Sequence, residues 1–161
     1  MKPALVQMST REWTMQAVHL ACAIARNNGT HVILLRLIPV GHAGYLGTAY
    51  GHAAPTAQEE HDVCQYLATA EDYGVTLNVR SMQCITLLDA VVDAAKQLDV
   101  DIVFAHVLPS RIVYWQKFQV WMLERRLSTH HRQLFTLIKN DMVVDQIPYV
   151  VTTPASSSTG R

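Results

Sequence analysis

ALVQMSTREWTMQAVHLACAIARNNGTHVILLRLIPV, residues 4–40, reads as one complete strand–helix–strand unit. Ala4, Leu5, Val6 and Met8 make a short apolar run, and Ser9 and Glu12 follow at capping-box spacing, which predicts a strand turning directly into a helix. Trp13, Ala17, Leu20, Ala21 and Ile24 recur at intervals of three and four, so one stripe of that helix faces a sheet. Asn28 and Gly29 suit a left-handed C-terminal cap. Beyond them Val32, Ile33, Leu34, Leu35, Leu37 and Ile38 form a nearly unbroken apolar run closed by Pro39. Apolar residues at consecutive positions point to both faces of a strand, so this strand is covered on both sides and parallel to the first.

Outward from this unit the alternation repeats. Residues 41–54, rich in Gly, His, Ala and Tyr, show neither period and read as a long exposed loop. Thr56 and Glu59 form a second capping box, opening a helix with Val63, Leu67 and Ala70 inward and Tyr73 and Gly74 at its end. Val75, Leu77 and Val79 alternate with Thr76, Asn78 and Arg80 as in a half-exposed edge strand. Thr86 caps a helix with Leu88, Val91, Val92 and Ala95 inward, and VDIVFAHV, residues 100–107, makes a fourth, buried strand. The segment from Arg111 to Ile138 reads as two helices with a break at Ser128 and Thr129, and the chain closes on a strand over Pro148 to Thr153. ASSSTGR, residues 155–161, has nothing to bury and is expected to be a disordered tail behind one domain spanning 1–154. Strand and helix in strict alternation make a parallel sheet with right-handed crossovers the economical architecture.

Thirteen basic and thirteen acidic side chains cancel, so no overall field recruits nucleic acid or an anionic surface, and any charged contact must be local. Cys22, Cys64 and Cys84 are far apart in apolar or helical surroundings and read as reduced core thiols. No apolar run nears the roughly 18 residues a bilayer requires, and the amino-terminal residues lack a signal-peptide core, which predicts a cytoplasmic protein with no integral membrane segment. GxSxG, HExxH, GxxxxGK[ST] and GxGxxG are all absent, so nothing in the sequence argues for an enzyme, and no catalytic residue is assigned.

The order of elements resembles the universal stress protein family along nearly the whole chain. The residues that carry the likeness are LVQMSTREWTMQAVHLACAIARNNG, THVILLRLIPV, LLDAVVDAAKQLDVDIVFAHV and IPYVVTTP. The resemblance implies a three-layer α/β sandwich around a five-stranded parallel sheet of order 3-2-1-4-5, the universal stress protein or adenine nucleotide alpha hydrolase-like fold. ATP-binding members of that family close the first strand with an aspartate and follow the fourth with GxxGx9G[ST]. Here the first strand ends at Met8 and Ser9, and no glycine occurs between Val107 and Val151, so the close backbone approaches of a phosphate cradle are missing. The expectation is a degenerate member that holds no cofactor and does not bind ATP in the usual manner, with ATP or another adenine nucleotide as the alternative. Pro109, Trp115, Trp121, Leu134, Leu137 and IPY at 147–149 are also similar to universal-stress-like domains of bacterial amino-acid permeases, which implies regulation or docking, with a membrane transporter as one candidate partner.

Three constellations stand out. In a sheet whose order turns between strands one and four, ligands bind outside the carboxyl ends of those strands. Ser9, Thr10, His106, Ser110 and Arg111 border that crevice and are the candidate ligand residues, for a nucleotide or another anion; the competing reading makes His106 a structural hydrogen-bonder. Arg111, Lys117, Arg125, Arg126 and Arg132 interleave with Tyr114, Trp115, Phe118 and Trp121. That mixture suits a membrane surface, a phosphate-bearing ligand, an acidic partner or simply a helix packed by its rings with solvated arginines. Trp115, Phe118, Trp121, Arg125 and Arg126, with Tyr149, Val150 and Val151 of the last strand, are the candidate homodimer interface. His42, His52, His61 and Cys64 match no compact metal-ligand spacing, and no metal is assigned. The functional expectation is a non-catalytic protein acting through protein contacts in stress response or regulation, with a small-molecule sensor as the alternative.

Overall fold

The hydrophobic strands pair side by side in the order β3-β2-β1-β4-β5-β6. The computed structural model describes residues 2–48, 54–107, 113–128, 133–139 and 149–152. Along the chain these form β1 (Ala4–Gln7), α1 (Arg11–Asn28), β2 (Val32–Pro39), a 3-10 turn (Ala43–Tyr45), α2 (Ala57–Asp72), β3 (Leu77–Cys84), α3 (Leu87–Gln97), β4 (Ile102–Phe104), α4 (Val113–Ser128), β5 (Gln133–Lys139) and β6 (Tyr149–Thr152). The first five strands are parallel in the order 3-2-1-4-5, and β6 adds to β5 in the antiparallel sense, with Leu137 opposite Val151.

Alternate residues of the central strands feed two cores. Val6, Val32, Leu34 and Phe104 pack with Trp13, Ala17, Val18, Ala21 and Cys22 of α1 and with Tyr66 and Ala70 of α2. Leu5, Ile33, Leu35 and Val103 point the other way, onto Val91, Val92 and Ala95 of α3 and Leu123 and Leu127 of α4. This two-sided demand explains the nearly unbroken apolar run of β2: Val32 and Leu34 meet one helix layer, Ile33 and Leu35 the other. Leu34 and Leu35 are fully buried, each contributing about 1.5–3 kcal/mol of transfer free energy.

Local signals set the element ends. Gly29 adopts φ 62°, and Thr30 N–H donates to the Ala25 carbonyl at 2.9 Å, closing α1 with a left-handed turn that a side chain would strain. Thr56 and Glu59 complete a reciprocal capping box on α2: Glu59 N–H donates to Thr56 Oγ1 at 3.1 Å, and Thr56 N–H donates to Glu59 Oε2 at 2.8 Å. Arg36 of β2 reaches the same carboxylate at 3.2 Å and ties the helix start to the sheet.

Several expectations are corrected. Residues 133–139 are a strand, where the sequence suggested the second of two helices, so the segment after β4 holds one helix and the fifth strand, and residues 149–152 become a sixth strand. QLFTLIK is short and apolar enough to satisfy either period, and the free edge of β4 decides in favour of the strand, with Leu134 opposite Val103. No capping box forms at Ser9 and Glu12; Thr10 is the N-cap, and Ser9 N–H donates instead to Thr14 Oγ1 at 2.9 Å. Leu20 and Leu67 face outward, 36% and 40% exposed, because α1 buries Thr14, Val18, Cys22 and Ala25, and α2 buries Asp62, Tyr66 and Ala70. Cys64, on the outer side of α2, is exposed, whereas Cys22 and Cys84 are buried. β3 runs on to Cys84 and leaves Val79 exposed at the sheet edge. The tail at 155–161 lies outside the described residues.

Candidate functional site

The crossover through α1 carries the chain from β1 to β2 on one side, while α3 returns it to β4 on the other side of β1. The two directions part at the carboxyl ends of β1 and β4, which opens the crevice where ligands of such sheets bind. Ser9 stands two residues beyond β1 and His106 two residues beyond β4, and Ser9 Oγ meets His106 Nδ1 at 2.7 Å across it.

This bridge is supported from both strands. Gln7 is buried in β1, and its Oε1 accepts the His106 backbone N–H at 3.1 Å. The Trp13 ring lies 5.0 Å from the His106 ring at 51°. Thr14, fully buried, anchors the Ser9 amide. Burial holds the His106 imidazole below its usual pKa, so at neutral pH it is uncharged and one ring nitrogen accepts while the other donates. Among the described residues, no buried side-chain nitrogen or oxygen lacks a hydrogen bond. Chemically, the arrangement is a polar bridge between the ends of β1 and β4, in which Ser9 and Gln7 both bond to His106.

Of the five candidate ligand residues, the fold brings Ser9 and His106 into contact and leaves Thr10 exposed beside them as the N-cap of α1. Ser110 and Arg111 lie outside the described residues. Sequence reading missed Gln7, Trp13 and Thr14 as parts of this cluster. Gln7 had left a signal, a lone amide inside the apolar run ALVQM, since a buried polar group in a strand must find a partner.

The second constellation separates into two parts. Phe118 and Trp121 are 44% and 51% exposed on the outer side of α4, their rings 5.9 Å apart, with the Arg125 guanidinium 5.4 Å from the Trp121 ring centre. Arg126 turns the other way and forms an ion pair with Asp89 of α3, whose carboxyl is held below its usual range by the Thr86 hydroxyl and then by Arg126. Trp115 belongs to α4 by its backbone, and Tyr149, Val150 and Val151 form β6 at the sheet's end. Arg132 lies outside the described residues.

Among the described residues the histidines do not converge. His42 packs on Tyr45 with ring centres 6.1 Å apart, His61 bonds Gln65 at 3.1 Å, and His52 lies outside the described residues. Among the described residues no three potential ligands cluster for a metal ion. A cavity of about 640 Å³ lies elsewhere, between the end of β3, the start of α3 and the Leu46–Gly47 loop, which Gln83 holds by accepting the Gly47 N–H at 2.6 Å. Among the described residues no helix is long and apolar enough to cross a membrane.

No protein-family model matches the chain, and no curated protein is significantly similar to it. Solved structures do match. A universal stress protein in complex with cAMP superposes with a TM-score of 0.55 at 14% identity, over 85% of this chain and 94% of that one. The universal stress protein of Archaeoglobus fulgidus in complex with dAMP gives 0.57 at 12% identity, over 84% and 97%. A universal stress protein family member from Burkholderia pseudomallei gives 0.56 at 11%, over 84% and 94%. At such identities the likeness is one of backbone architecture, and it extends over the parallel strands, their order and the flanking helices. This chain therefore has the α/β fold of the universal stress proteins.

Proposed function

We propose that this chain is a non-catalytic, universal-stress-like regulatory protein of the cytoplasm that works through protein contacts, as a homodimer paired along β6, and needs no cofactor. The observation that carries the reading is the place of β6. It ends the sheet as a four-residue antiparallel strand, so its outer row of backbone N–H and C=O groups meets no further strand among the described residues. Such an edge must be covered, and pairing with its own copy about a two-fold axis closes it without leaving a new edge. The bridge at the ends of β1 and β4 agrees with a contact role, because His106 is engaged there by Ser9 and Gln7 of the chain itself.

Light scattering on the purified chain at micromolar concentration tests this reading, with a dimer mass expected. Val150→Lys and Val151→Asp should each yield a folded monomer. A monomeric parent sinks the proposal.

A second reading, a nucleotide or anion sensor, is favoured by the position of Ser9 and His106 at the carboxyl ends of β1 and β4, and by structural neighbours solved with cAMP and dAMP. Thermal unfolding with ATP, AMP and cyclic AMP separates the two. A ligand at a hundred times its dissociation constant stabilises by about 2.7 kcal/mol, so a rise in Tm with any of them would favour the sensor.

A further inference from the structure

We propose that the outer edge of β3 is a docking site for an extended peptide segment of another protein, which adds to the sheet as a further strand. The inference rests on the reading that the chain works through protein contacts, though not on pairing along β6. Whatever covers β6, the other end of the sheet is β3, eight residues reading LNVRSMQC. Proline, a bulge or brevity commonly protects an edge strand, and β3 uses none of them. Val32 and Val40 donate their N–H groups to the Thr76 and Cys84 carbonyls, and the register between is unbroken, so even-numbered residues aim their backbone groups at β2. Leu77, Val79 and Ser81 therefore aim theirs outward. Asn78, Val79, Arg80 and Ser81 are exposed one after another. Residues 49–53 leave from Thr48, whose carbonyl accepts from Gln83, and rejoin at Ala54, whose carbonyl accepts from Arg36, so both anchors belong to the carboxyl half of the β2 and β3 pair. The other stretches outside the description, Met1 apart, come after β4 in the chain. The docking edge is accordingly the amino half, residues 77–81.

The surroundings of the edge select the segment. Two cavities lie between β3 and α3, about 510 Å³ toward the amino end of the strand and about 640 Å³ toward its carboxyl end, and Gln97 lines both. Arg80 lines the first, while Met82 and Asp93 line the second. Neither Arg80 nor Asp93 has an ion-pair partner among the described residues, whereas Asp89 is already engaged by Arg126. An extended segment places every second side chain on this side of the sheet, at steps of about 6.6 Å. The complementary order is thus an acidic residue for Arg80, an apolar one for Met82 and a basic one for Asp93, each separated by one residue. The intervening side chains fall on the opposite side, next to Val79, which is 39% exposed there. Main-chain bonds supply affinity in such strand addition and the alternate side chains supply specificity. A second copy is the poorer occupant, because pairing of like copies at both β6 and β3 would extend the sheet without end, while a segment of another protein closes it.

The test is fluorescence anisotropy of the full chain with a labelled peptide, blocked at both ends, that reads threonine, glutamate, valine, leucine, valine, lysine, threonine, and with the reverse sequence for the opposite strand direction. At least one of the two is expected to bind, and versions carrying two glutamates or two lysines should bind about two- to fivefold more weakly. Arg80→Gln and Asp93→Asn should each weaken the parent peptide by a similar factor. Val79→Pro removes an outward N–H without touching the ladder to β2, a place where an edge strand tolerates proline, and should weaken binding at least about fivefold, with circular dichroism confirming the fold. Should that variant fail to fold, hydrogen exchange of the parent gives the same answer: the Val79 and Ser81 amides slow when peptide is added, while the Arg80 and Met82 amides, aimed at β2, do not change. No binding by either sequence, equal binding of the doubly charged versions, binding untouched by Val79→Pro in a folded variant, or no slowing at Val79 and Ser81 overturns the proposal. Loss of dimer mass in folded Val79→Pro would assign the edge to a second copy and overturn it equally. Mass and peptide binding are read separately: a monomer that binds the peptide sinks β6 pairing alone, and a dimer that ignores it sinks this proposal alone.

Discussion

Removing the Glu59 side chain should loosen the start of α2 by an amount that depends on pH. Glu59 accepts the Thr56 N–H at 2.8 Å and receives Arg36 of β2 at 3.2 Å, with the Arg36 side chain only 13% exposed and that of Glu59 34%. Losing the reciprocal half of a capping box costs about 0.5 kcal/mol, and leaving a mostly buried guanidinium without this carboxylate costs about 0.5–1 kcal/mol after allowance for solvent screening. Glu59→Ala should therefore destabilise the chain by about 1–1.5 kcal/mol, lowering Tm by about 2–6 °C for a chain of this size. The Thr56 amide first, and then Arg36, hold the Glu59 carboxyl below its usual range. A depressed folded-state pKa contributes stability above the unfolded value, about 4.3, and loses it as pH falls through the folded value. The gap between parent and Glu59→Gln, which keeps an acceptor but no charge, should thus be constant above about pH 5.5 and close toward pH 3. Urea unfolding at several pH values measures it. A gap that is absent at pH 7, or unchanged between pH 7 and pH 3, would refute the assignment of Glu59 as a charged tie between α2 and β2.

Other outcomes follow from burial and from the bridge. Leu34→Ala, in the fully buried centre of β2, should cost about 2–5 kcal/mol in chemical unfolding. Gly29→Ala, at φ 62°, should cost about 1 kcal/mol, since it forces a side chain into the left-handed turn that ends α1. Ser9→Ala removes the Oγ partner of a half-buried imidazole and should destabilise by about 1 kcal/mol at pH 7, whereas an unchanged Tm would mean that the bridge does not close the crevice in solution. With the native protein at pH 8, a disulfide reagent should modify exposed Cys64 first; Cys22, its thiol pushed up to about 11 by burial, should react only after denaturation.

The sequence spoke most clearly where a signal is local. Consecutive apolar residues in β2, the Thr56 and Glu59 pair and Gly29 each carry their structural meaning within a few residues, and each stands in the fold as read. The crevice was legible as a location, since Ser9 and His106 were both placed at strand ends, but the bond between them joins residues 97 apart and has no signature in either neighbourhood. Gln7, Trp13 and Thr14 joined the cluster for the same reason: their partners are neighbours in space. The inward stripes of α1 and α2 slipped by a position or two at Leu20 and Leu67, because a helix shows its apolar side in sequence while the packing angle selects which edge of that side is covered.

What the residues determined by themselves was an alternating α/β chain whose strands, buried on both faces, must lie parallel with helices above and below. That follows from periodicity, which is a property of backbone geometry, and from caps, which are bonds between near neighbours. Tertiary structure alone decided that QLFTLIK is β5, that Tyr149–Thr152 turns back beside it as the sheet's last strand, and that Phe118 and Trp121 remain outside. A short apolar segment is content as helix or strand, and an aromatic ring is content on either side of an amphipathic helix. The choice is made by which strand edge is still unpaired and which helix face reaches the sheet first, and both are facts about the assembled chain.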